Sequence, residues 1–532
     1  MHDYKEKLNL ALKYISENKR DTAIEILKDI ISKDNKNFLP FFYLGNIFLE
    51  KKNYELAKIY LEKAISINPS ISQVYNSLGL AYSNLKNFHE AEKLLNKAIE
   101  INNNIPEPYN NLGLLKRDKN DIFSAENFFN KAIQKNKRYF PAYNNLMELY
   151  ERTNQNDLLE KIINKSNEIF LNNKINKLYE GKLYYKKKNF LEAIKILEPL
   201  KFNNLEITFE KARLLNLAKS FDKIGSYDQA FNYFKSLNDF TILNAPKYLN
   251  KDSYNSRIDS RKSFLNSLEK IPWKEIETNL CEDPVFMIGF PRSGTTLLDS
   301  ILRSHPNVEV IEEKPIVENL ISEINKITAG NFSELNKLNV NDLKNLQNFY
   351  FEERKKYLDL NKSYKIIIDK LPLNIIYIPE ILRVFPNSKF IFSLRHPFDC
   401  VLSCYFQNFK LNSPMSNFLK LDDAANFYDS VMEIWVKSNK ILNPDICELK
   451  YEDLIYSFKN SINKVLDFLK IEWHEELLSF NEIAKKRKIS TPSYYQVTEP
   501  INNKAIGRWK NYNSEINKIK PLINKWVDFY KY

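Results

Sequence analysis

A short segment near the middle of the chain has the residue types and spacing of a phosphate-binding loop. Val285 to Ile288 form an apolar run typical of a buried strand, and Gly289 and Gly294 have the spacing of a nucleotide-binding loop that opens a helix. The N–H groups and the dipole of a helix N-terminus attract phosphate oxygens. A triphosphate-binding loop has a lysine after its second glycine, and here that position is Thr295. The loop therefore predicts a different phosphorylated ligand.

The side chains of this loop add hydrogen-bond donors to those of its backbone. The candidate ligand-binding residues are Arg292, Ser293, Gly294, Thr295 and Thr296. Glycine is scarce, with nine among 532 residues, so two glycines here indicate that the backbone approaches a ligand closely. For this motif alone, a plain strand-to-helix turn with chance spacing is the alternative.

Three further apolar segments have the pattern of strands and end in polar residues. They span residues 365–368, 389–394 and 446–449. Their alternation with helical patterns is typical of a parallel sheet, which binds ligands at the carboxyl ends of its strands. Lys370, Arg395 and Tyr451 follow these strands. Arg395 and Ser403, which lies on the next predicted helix, would bind a second phosphate. A surface ion pair is the alternative for Arg395 taken alone.

Length and composition limit the classes of protein to which the chain can belong. A chain of 532 residues predicts two or three domains, and a net charge of +12 favours anionic ligands without implying nucleic acid. No apolar run approaches the ~18–20 residues of a bilayer span, and the N-terminus lacks the apolar core of a signal peptide. We therefore predict a cytoplasmic protein with no membrane partner. Without a C-x-x-C pair, and with only five histidines, it should bind no metal.

The first half of the chain is repetitive. Gly45, Gly79 and Gly113 recur every 34 residues, and large and small apolar residues recur with them. This period and pattern resemble the tetratricopeptide repeat, in which each repeat is a pair of helices. We predict about seven repeats over residues 3–244. The predicted domains are a repeat array at 1–245, a linker or connecting helix at 246–280, and a second domain at 281–532.

A repeat array of this kind has a concave surface that commonly binds peptide or protein. Asparagines on the predicted first helices would lie on that surface and could hydrogen-bond an extended peptide backbone. They are Asn76, Asn110, Asn111, Asn144 and Asn145. Solvated polar positions in an asparagine-rich chain are the alternative.

Residues 281–532 resemble the sulfotransferase family, whose members use 3′-phosphoadenosine-5′-phosphosulfate as donor. The segment from Pro291 to Thr296 resembles the family's loop for the 5′-phosphosulfate, and Arg395 with Ser403 resembles its 3′-phosphate clamp. The resemblance implies a P-loop-like α/β domain with a central parallel sheet, following an all-α repeat solenoid. It also implies this donor as co-substrate.

The closer resemblance is to the protein-tyrosine sulfotransferase branch and its bacterial relatives that carry tetratricopeptide repeats. His305-Pro306 followed by Glu312-Glu313 matches the segment in which the second glutamate is the catalytic base. Later residues match that branch's serine, glutamine-valine, proline and basic-tryptophan series. They are Ser493, Gln496-Val497, Pro500 and Arg508-Trp509. In that branch a positively charged residue stands two positions after the catalytic glutamate. The corresponding residue in this chain is Pro315.

The resemblance implies a role for each candidate residue. Glu313 would accept the proton of an acceptor hydroxyl, while Lys370 and Ser493 would stabilise charge on the leaving phosphate. The donor would be bound by the loop residues together with Arg395, Ser403, Tyr451 and Arg508. Taken singly, Glu313 and Lys370 could be ordinary surface charges and Ser493 a turn residue. Glu313 is preferred to Glu312 by resemblance alone.

Several alternatives stay open. A kinase would need the missing lysine and an acidic magnesium ligand after a strand, where this chain has Arg395. A non-catalytic repeat scaffold would not need the transferase residues. The candidate acceptors are a protein, including a protein tyrosine, a glycan and a small hydroxylated metabolite. Four aromatic residues either line an acceptor pocket or belong to the core or an interface: Tyr405, Phe406, Tyr494 and Tyr495. The repeats either recruit the acceptor or make the enzyme a dimer.

Overall fold

The structure is a computed structural model of the 532-residue chain. It describes residues 2–203, 206–246, 249–270, 283–359, 362–485 and 500–532. The chain forms two compact units, Met1–Ile224 and Gly225–Tyr532. Within the described ranges, no helix has both the length and the apolarity needed to cross a bilayer.

The first unit is entirely helical. Its helices are α1 His2–Ser16, α2 Arg20–Lys33, α3 Phe38–Glu50, α4 Tyr54–Ile67, α5 Ser72–Asn84, α6 Phe88–Ile101, α7 Pro106–Asp118, α8 Ile122–Lys135, α9 Phe140–Arg152, α10 Asn156–Ile169, α11 Lys174–Lys186, α12 Phe190–Leu197 and α13 Ile207–Lys223. Helices α1 to α12 pack as successive pairs, and each pair also packs on the next. This is the predicted repeat solenoid.

The turn inside each pair repeats with the predicted period. One residue in each turn has a left-handed backbone conformation, with φ between 57° and 65°. These residues are Asn18, Lys52, Lys86, Asn120, Asn154 and Lys188, and they are spaced by 34 residues. The residue that follows often caps the second helix with its side chain, as Asn53 and Asn87 do. The block around Tyr143 to Tyr150, whose sequence pattern is weak, is therefore regular in structure.

Glycine allows the two helices of a pair to cross closely. A Cβ atom on Gly45 would lie 2.5 Å from Leu61 Cγ, and one on Gly113 would lie 2.5 Å from Phe129 Cε1. Leu61 and Phe129 are fully buried. The small and large positions of the sequence pattern are therefore the two sides of one helix crossing within a pair.

The second unit begins with two helices that the sequence places outside the sulfotransferase-like region. They are α14 Tyr227–Leu243 and α15 Lys251–Asn266. Helix α15 lies in the predicted linker and packs against the rest of the unit. Its Arg261 forms a buried ion pair with Glu380, with Nη2 and Oε1 2.7 Å apart. Its Lys251 pairs with Asp423 at 2.6 Å.

A parallel five-stranded sheet forms the centre of this unit. The strands are β1 Val285–Gly289, β2 Val308–Glu312, β3 Ile366–Lys370, β4 Lys389–Leu394 and β5 Asp445–Lys450, in the order β2-β3-β1-β4-β5. Strand β1 is buried along its whole length, as expected of a central strand covered on both faces. Strand β2 is at the edge of the sheet and carries glutamates, so its apolar pattern is too weak to be predicted from the sequence.

Helices cover the sheet. They are α16 Thr295–Leu302, α17 Ile316–Thr328, α18 Val340–Lys355, α19 Ile378–Val384, α20 Pro397–Tyr405, α21 Leu421–Leu442, α22 Tyr451–Tyr456, α23 Phe458–Leu469, α24 Phe480–Lys485 and α25 Asn513–Phe529. Short 3-10 helices span Phe332–Lys337, Pro372–Tyr377, Met415–Leu419, Glu475–Ser479 and Arg508–Tyr512. The order of the strands creates a switch point between β1 and β4, because the connections from β1 and β3 run to opposite sides. Ligands of open parallel sheets bind at the carboxyl end of such a point.

Candidate functional site

The predicted phosphate loop lies at this switch point and is pressed against strand β4. A Cβ atom on Gly289 would lie 2.5 Å from the carbonyl oxygen of Ser393, so only glycine fits there. Gly294, with φ of 106°, is the N-cap of α16 and makes no side-chain cap hydrogen bond. The first N–H groups of a helix lack partners inside the helix. The loop thus presents the backbone donors that an anion requires.

Neighbouring elements hold the backbone of the loop. The Ser393 hydroxyl donates to the carbonyl of Ser293 at 3.0 Å, and the Cys404 thiol donates to the carbonyl of Pro291 at 3.2 Å. Arg395 Nη1 donates to the carbonyl of Arg292 at 3.2 Å. The buried thiol of Cys404 thus contacts the backbone of the loop. These bonds orient the loop before any ligand binds.

The ring of Tyr451, the first residue of α22, also packs against the loop. A Cβ atom on Gly294 would lie 2.7 Å from Tyr451 Cδ2, so the ring packs directly on the glycine. The guanidinium of Arg395 lies over the same ring, 5.1 Å from its centre. Burial raises the pKa of Tyr451, which keeps its hydroxyl protonated as a hydrogen-bond donor.

Two arginines and one hydroxyl link the two predicted phosphate sites. Arg292 Nε donates to Ser403 Oγ at 3.0 Å, while Arg395 is buried and its Nε has no hydrogen-bond partner among the described residues. Burial lowers the pKa of Arg292, and the neighbouring charges of Arg395 and Arg508 lower it further. Three nearby guanidinium groups repel one another unless an anion lies among them. The loop and the predicted clamp therefore share one cationic surface, whose charge is offset in part by Asp399, with Oδ2 3.9 Å from Arg395 Nη2.

Asp399, in the first turn of α20, anchors a segment that carries another candidate residue. It accepts hydrogen bonds from the backbone N–H groups of Gly507 and Trp509, at 2.7 and 3.0 Å. Arg395 donates to the carbonyl of Ala505 from the same side. Arg508, between the two anchored residues, lies over the ring of Phe406 at 5.1 Å. Sequence reasoning missed this role of Asp399, because an acidic residue in a first helical turn is common.

Lys370 is the centre of a second, acidic cluster at the end of β3. Its side chain is 0% exposed, and Nζ lies 3.3 Å from Glu313, 3.5 Å from Asp299 and 3.6 Å from Glu312. Burial alone would lower the pKa of Lys370, but the charges of Asp299, Glu313 and Glu312 outweigh it and raise the pKa. Lys370 therefore carries a positive charge at neutral pH.

The two adjacent glutamates differ in their surroundings. The Glu312 side chain is 12% exposed, whereas that of Glu313 is 37% exposed. Glu313 follows the end of β2 with a left-handed φ of 49°, held by its N–H, which donates to the carbonyl of Lys370 at 2.8 Å. A left-handed conformation is uncommon for a non-glycine residue and clusters at functional sites. Both glutamates contact Lys370, and Glu313 is the more exposed of the two.

Asp369, beside Lys370 in β3, is a buried acid on the other face of the sheet. The Tyr350 hydroxyl donates to Asp369 Oδ2 at 3.3 Å, while Oδ1 has no hydrogen-bond partner among the described residues. Burial raises the pKa of Asp369 to about 7. Folding therefore favours the neutral carboxyl group.

Several predicted residues lie apart from these clusters or outside the described residues. Ser493, with Tyr494, Tyr495, Gln496 and Val497, falls in the segment 486–499 and lies outside the described residues. Tyr405 and Phe406 are buried, with 4% and 5% exposure, so they belong to the core. Among the described residues, no group of three or more His, Cys, Asp or Glu side chains is arranged to hold a metal ion.

The asparagines of the first unit bond to one another across neighbouring repeats. Asn111 Nδ2 donates to Asn76 Oδ1 at 2.9 Å, and Asn145 Nδ2 donates to Asn110 Oδ1 at 2.8 Å. These side chains therefore link the first helices of adjacent pairs. A partner that binds there would have to share or replace these bonds.

Protein-family models match segments in both parts of the chain. Residues 284–475 match the sulfotransferase family. Residues 42–71 and 72–105 match the tetratricopeptide repeat. The matched sulfotransferase segment contains strands β1 to β5, the phosphate loop and the Lys370 cluster.

Similar curated proteins include protein-tyrosine sulfotransferases. An uncharacterized protein of Aquifex aeolicus is 28% identical over 46% of this chain and 32% of its own length. The protein-tyrosine sulfotransferase of Drosophila melanogaster is 23% identical over 42% of this chain and 46% of its own length. Protein-tyrosine sulfotransferase 2 of Gallus gallus is 25% identical over 42% of this chain and 62% of its own length. The chain thus spans about a third to two thirds of each of these three relatives.

Solved structures with similarity to the chain include a tetratricopeptide repeat protein from Parabacteroides merdae. It has a TM-score of 0.36 and 18% identity, and the match covers 45% of this chain and 94% of that protein.

Proposed function

We propose that this chain, which joins tetratricopeptide repeats to a sulfotransferase-family domain, transfers a sulfuryl group from 3′-phosphoadenosine-5′-phosphosulfate to an acceptor hydroxyl. The observation that carries the proposal is the pairing of one cationic surface, around Arg292 and Arg395, with the Lys370–Glu313 contact. The cationic surface would bind the anionic phosphosulfate donor. Glu313, in contact with Lys370, would accept the proton of the incoming hydroxyl.

The cationic surface divides between the two ends of the donor. The N-terminus of α16 and residues 292–296 bind the 5′-phosphosulfate, as backbone donors at a helix start bind phosphate. Arg395 and Ser403 bind the 3′-phosphate, and Tyr451 packs beneath the loop. The buried, unpartnered Nε of Arg395 supports this division, because an unpaired donor is costly unless a ligand accepts from it.

Transfer exchanges one sulfur–oxygen bond for another. The acceptor oxygen forms a bond to sulfur as the bond between sulfur and the bridging phosphate oxygen breaks, and Glu313 takes the acceptor proton. The electron pair of the broken bond goes to the phosphate of adenosine 3′,5′-bisphosphate. Lys370 stabilises that charge, and we propose that Ser493 donates to the same oxygens.

We further propose that the acceptor is a hydroxyl of a polypeptide, with tyrosine as the first candidate. The names of the Drosophila and chicken relatives support this choice. Pro315 stands two positions after Glu313, where that branch has a basic residue, so the peptide need not be acidic there. The repeats would recruit the acceptor, because binding energy supplied away from the reacting group lowers the cost of orienting it.

Transfer of label tests the proposed reaction. The whole chain is incubated with ³⁵S-labelled donor and an extract of the source cell, and proteins, glycans and small metabolites are separated. We expect label in a protein fraction, recovered as tyrosine sulfate after hydrolysis. Glu313→Gln is the control, and it should lose the label while still binding adenosine 3′,5′-bisphosphate. Absence of transfer from the wild-type chain, or equal transfer by the variant, would contradict the proposal.

A further inference from the structure

Helix α14 packs on the end of α20, the helix that carries Ser403. The ring of Phe231 stacks on Tyr405, with centres 5.3 Å apart and planes at 24°. The ring of Phe234 stacks on Phe406, with centres 3.9 Å apart and planes at 15°. Phe231 and Phe234 are buried. Sequence periodicity assigns α14 to the repeats, whereas in the structure its aromatic face completes the core of the second unit.

A hydrogen bond fixes the same junction. Asn238 Nδ2 donates to the carbonyl oxygen of Tyr405 at 3.0 Å, and Asn238 is 3% exposed. Tyr405 is the last residue of α20, where carbonyl groups lack partners inside the helix. Because this carbonyl is buried from water by α14, loss of the amide would leave it unsatisfied. Asn238 thus caps α20 from outside.

The fixed end of α20 lies within one helical turn of the cationic surface. Ser403 accepts the hydrogen bond of Arg292, and Cys404 donates to the carbonyl of Pro291. Both residues directly precede Tyr405 in α20. A shift of this turn would therefore move the hydroxyl and the loop anchor together.

The segment that carries Arg508 rests on the same aromatic rings. The Arg508 guanidinium lies over Phe406. Tyr512, at the end of the 3-10 helix Arg508–Tyr512, contacts Phe406 with ring centres 4.8 Å apart and Phe231 with centres 6.4 Å apart. Helix α14 therefore supports both elements that bring Ser403 and Arg508 to the cationic surface.

We infer that Phe234 and Asn238 of α14 are positioning residues for the part of the donor site that binds the 3′-phosphate. This inference rests on the proposed function. Phe234 holds the ring on which Arg508 lies, and Asn238 holds the last carbonyl of the helix that carries Ser403. Neither residue touches the donor.

Two adenosine nucleotides that differ in the 3′-phosphate separate positioning from general stability. The whole chain and its Phe234→Ala and Asn238→Ala variants are titrated with adenosine 3′,5′-bisphosphate and with adenosine 5′-monophosphate, which differs from it only by lacking the 3′-phosphate. We expect each variant to bind the bisphosphate about 10-fold or more weakly, the loss of a charge-assisted hydrogen bond. Affinity for the 5′-monophosphate should change less than about twofold. Phe234→Leu keeps most of the packing and should lie between the wild type and Phe234→Ala.

Phe385→Ala is the matched control. Phe385 is fully buried and contacts Tyr350 and Phe351, on α18, instead of the rings of α14. This variant should lower the thermal stability of the second unit without changing the ratio of the two affinities. If Phe234→Ala is unfolded, Asn238→Ala and Phe234→Leu still report the ratio.

The outcomes distinguish this inference from the proposed function. If the wild-type chain prefers the bisphosphate and the variants keep the same preference, the positioning role is wrong while the proposed function is unaffected. An equal loss of preference in Phe385→Ala also overturns it, because the effect would then follow general stability. A wild-type chain that binds neither nucleotide overturns the proposed function and the inference with it.

Discussion

Glu313 and Glu312 are neighbours in sequence that the structure places in different surroundings. Both approach Lys370, at 3.3 and 3.6 Å, but Glu312 is the more buried of the two. A carboxylate that takes a proton from an incoming hydroxyl must be reachable. Because Glu312 is more buried, it is better suited to stabilise the positive charge of Lys370.

Substitution of each glutamate by glutamine separates these roles. Glu313→Gln should lower kcat by about 10²–10⁴-fold with little change in donor affinity, because it removes the proton acceptor. Glu312→Gln keeps the acceptor and should have the smaller effect on kcat. Single-turnover transfer with labelled donor measures both. If Glu312→Gln is the variant that loses turnover, the assignment of the base is wrong.

Asp369 makes stability depend on pH in a definite direction. Since folding raises the pKa of Asp369 to about 7, the native state holds a proton that the unfolded chain releases between about pH 4 and 7. Below about pH 4 this group therefore makes its full contribution to the free energy of unfolding. That contribution is lost as the pH rises from about 4 to 7.

Asp369→Asn removes this titration while it preserves the shape of the side chain. Between pH 5 and 8 the wild type should lose on the order of 2 kcal/mol more free energy of unfolding than the variant. Urea unfolding at both pH values measures the difference. Asp445→Asn, at an exposed position that starts β5, is the control and should behave as the wild type. Equal losses in the wild type and Asp369→Asn would contradict the predicted titration.

The sequence predicted candidate site residues that follow strands, together with Thr295, Thr296 and Ser403 on helices, but missed two acidic residues that lie on the same two helices. Lys370, Arg395 and Tyr451 could be predicted because the ends of parallel strands meet at one edge of the sheet. Asp299 and Asp399 could not, because their roles depend on which side chains other elements bring against the helices. The exposures of Glu312 and Glu313 likewise follow from tertiary packing.

At the scale of elements, helical periodicity identified an apolar face without identifying its partner. Phe234 fits the large position of the repeat pattern, yet it packs on Phe406 of the second unit. The two uses require the same residue type on the same helix face, so sequence alone cannot separate them. By contrast, the 34-residue turns leave a backbone signature that agrees with the sequence period.

The repeat packing can be tested at Gly45. A methyl group there would lie 2.5 Å from Leu61 Cγ, so Gly45→Ala forces α3 and α4 apart. We expect a destabilisation of about 1–3 kcal/mol, the usual cost of overpacking. Thermal unfolding should show a lower transition for the first unit with unchanged donor affinity. Lys63→Ala, at an exposed position on α4, is the control. An unchanged transition in Gly45→Ala would contradict the close crossing.

At the scale of the whole molecule, the second unit contains more than the sulfotransferase-like region. Helices α14 and α15 belong to it, and the buried Arg261–Glu380 pair ties α15 to α19. A chain that begins at Gly225 should therefore bind adenosine 3′,5′-bisphosphate within about threefold of the whole chain. A chain that begins at residue 270 lacks both helices. Its Glu380 is buried without Arg261, which should lower the free energy of unfolding by several kcal/mol and weaken binding of the bisphosphate. Calorimetry that finds equal affinity for the two shortened chains would contradict this division.

We propose that the site binds a 3′-phosphorylated adenosine donor and uses Arg395 to do so. Isothermal titration calorimetry of the whole chain with adenosine 3′,5′-bisphosphate, and separately with ATP and magnesium, measures this preference. We predict tight binding of the bisphosphate without added metal and weaker binding of ATP. Arg395→Ala should lower the bisphosphate affinity by about 1.5–3 kcal/mol, whereas Lys262→Ala, which removes a surface charge paired with Glu433, should not. Preference for ATP with magnesium, or unchanged bisphosphate affinity in a folded Arg395→Ala variant, would contradict the account.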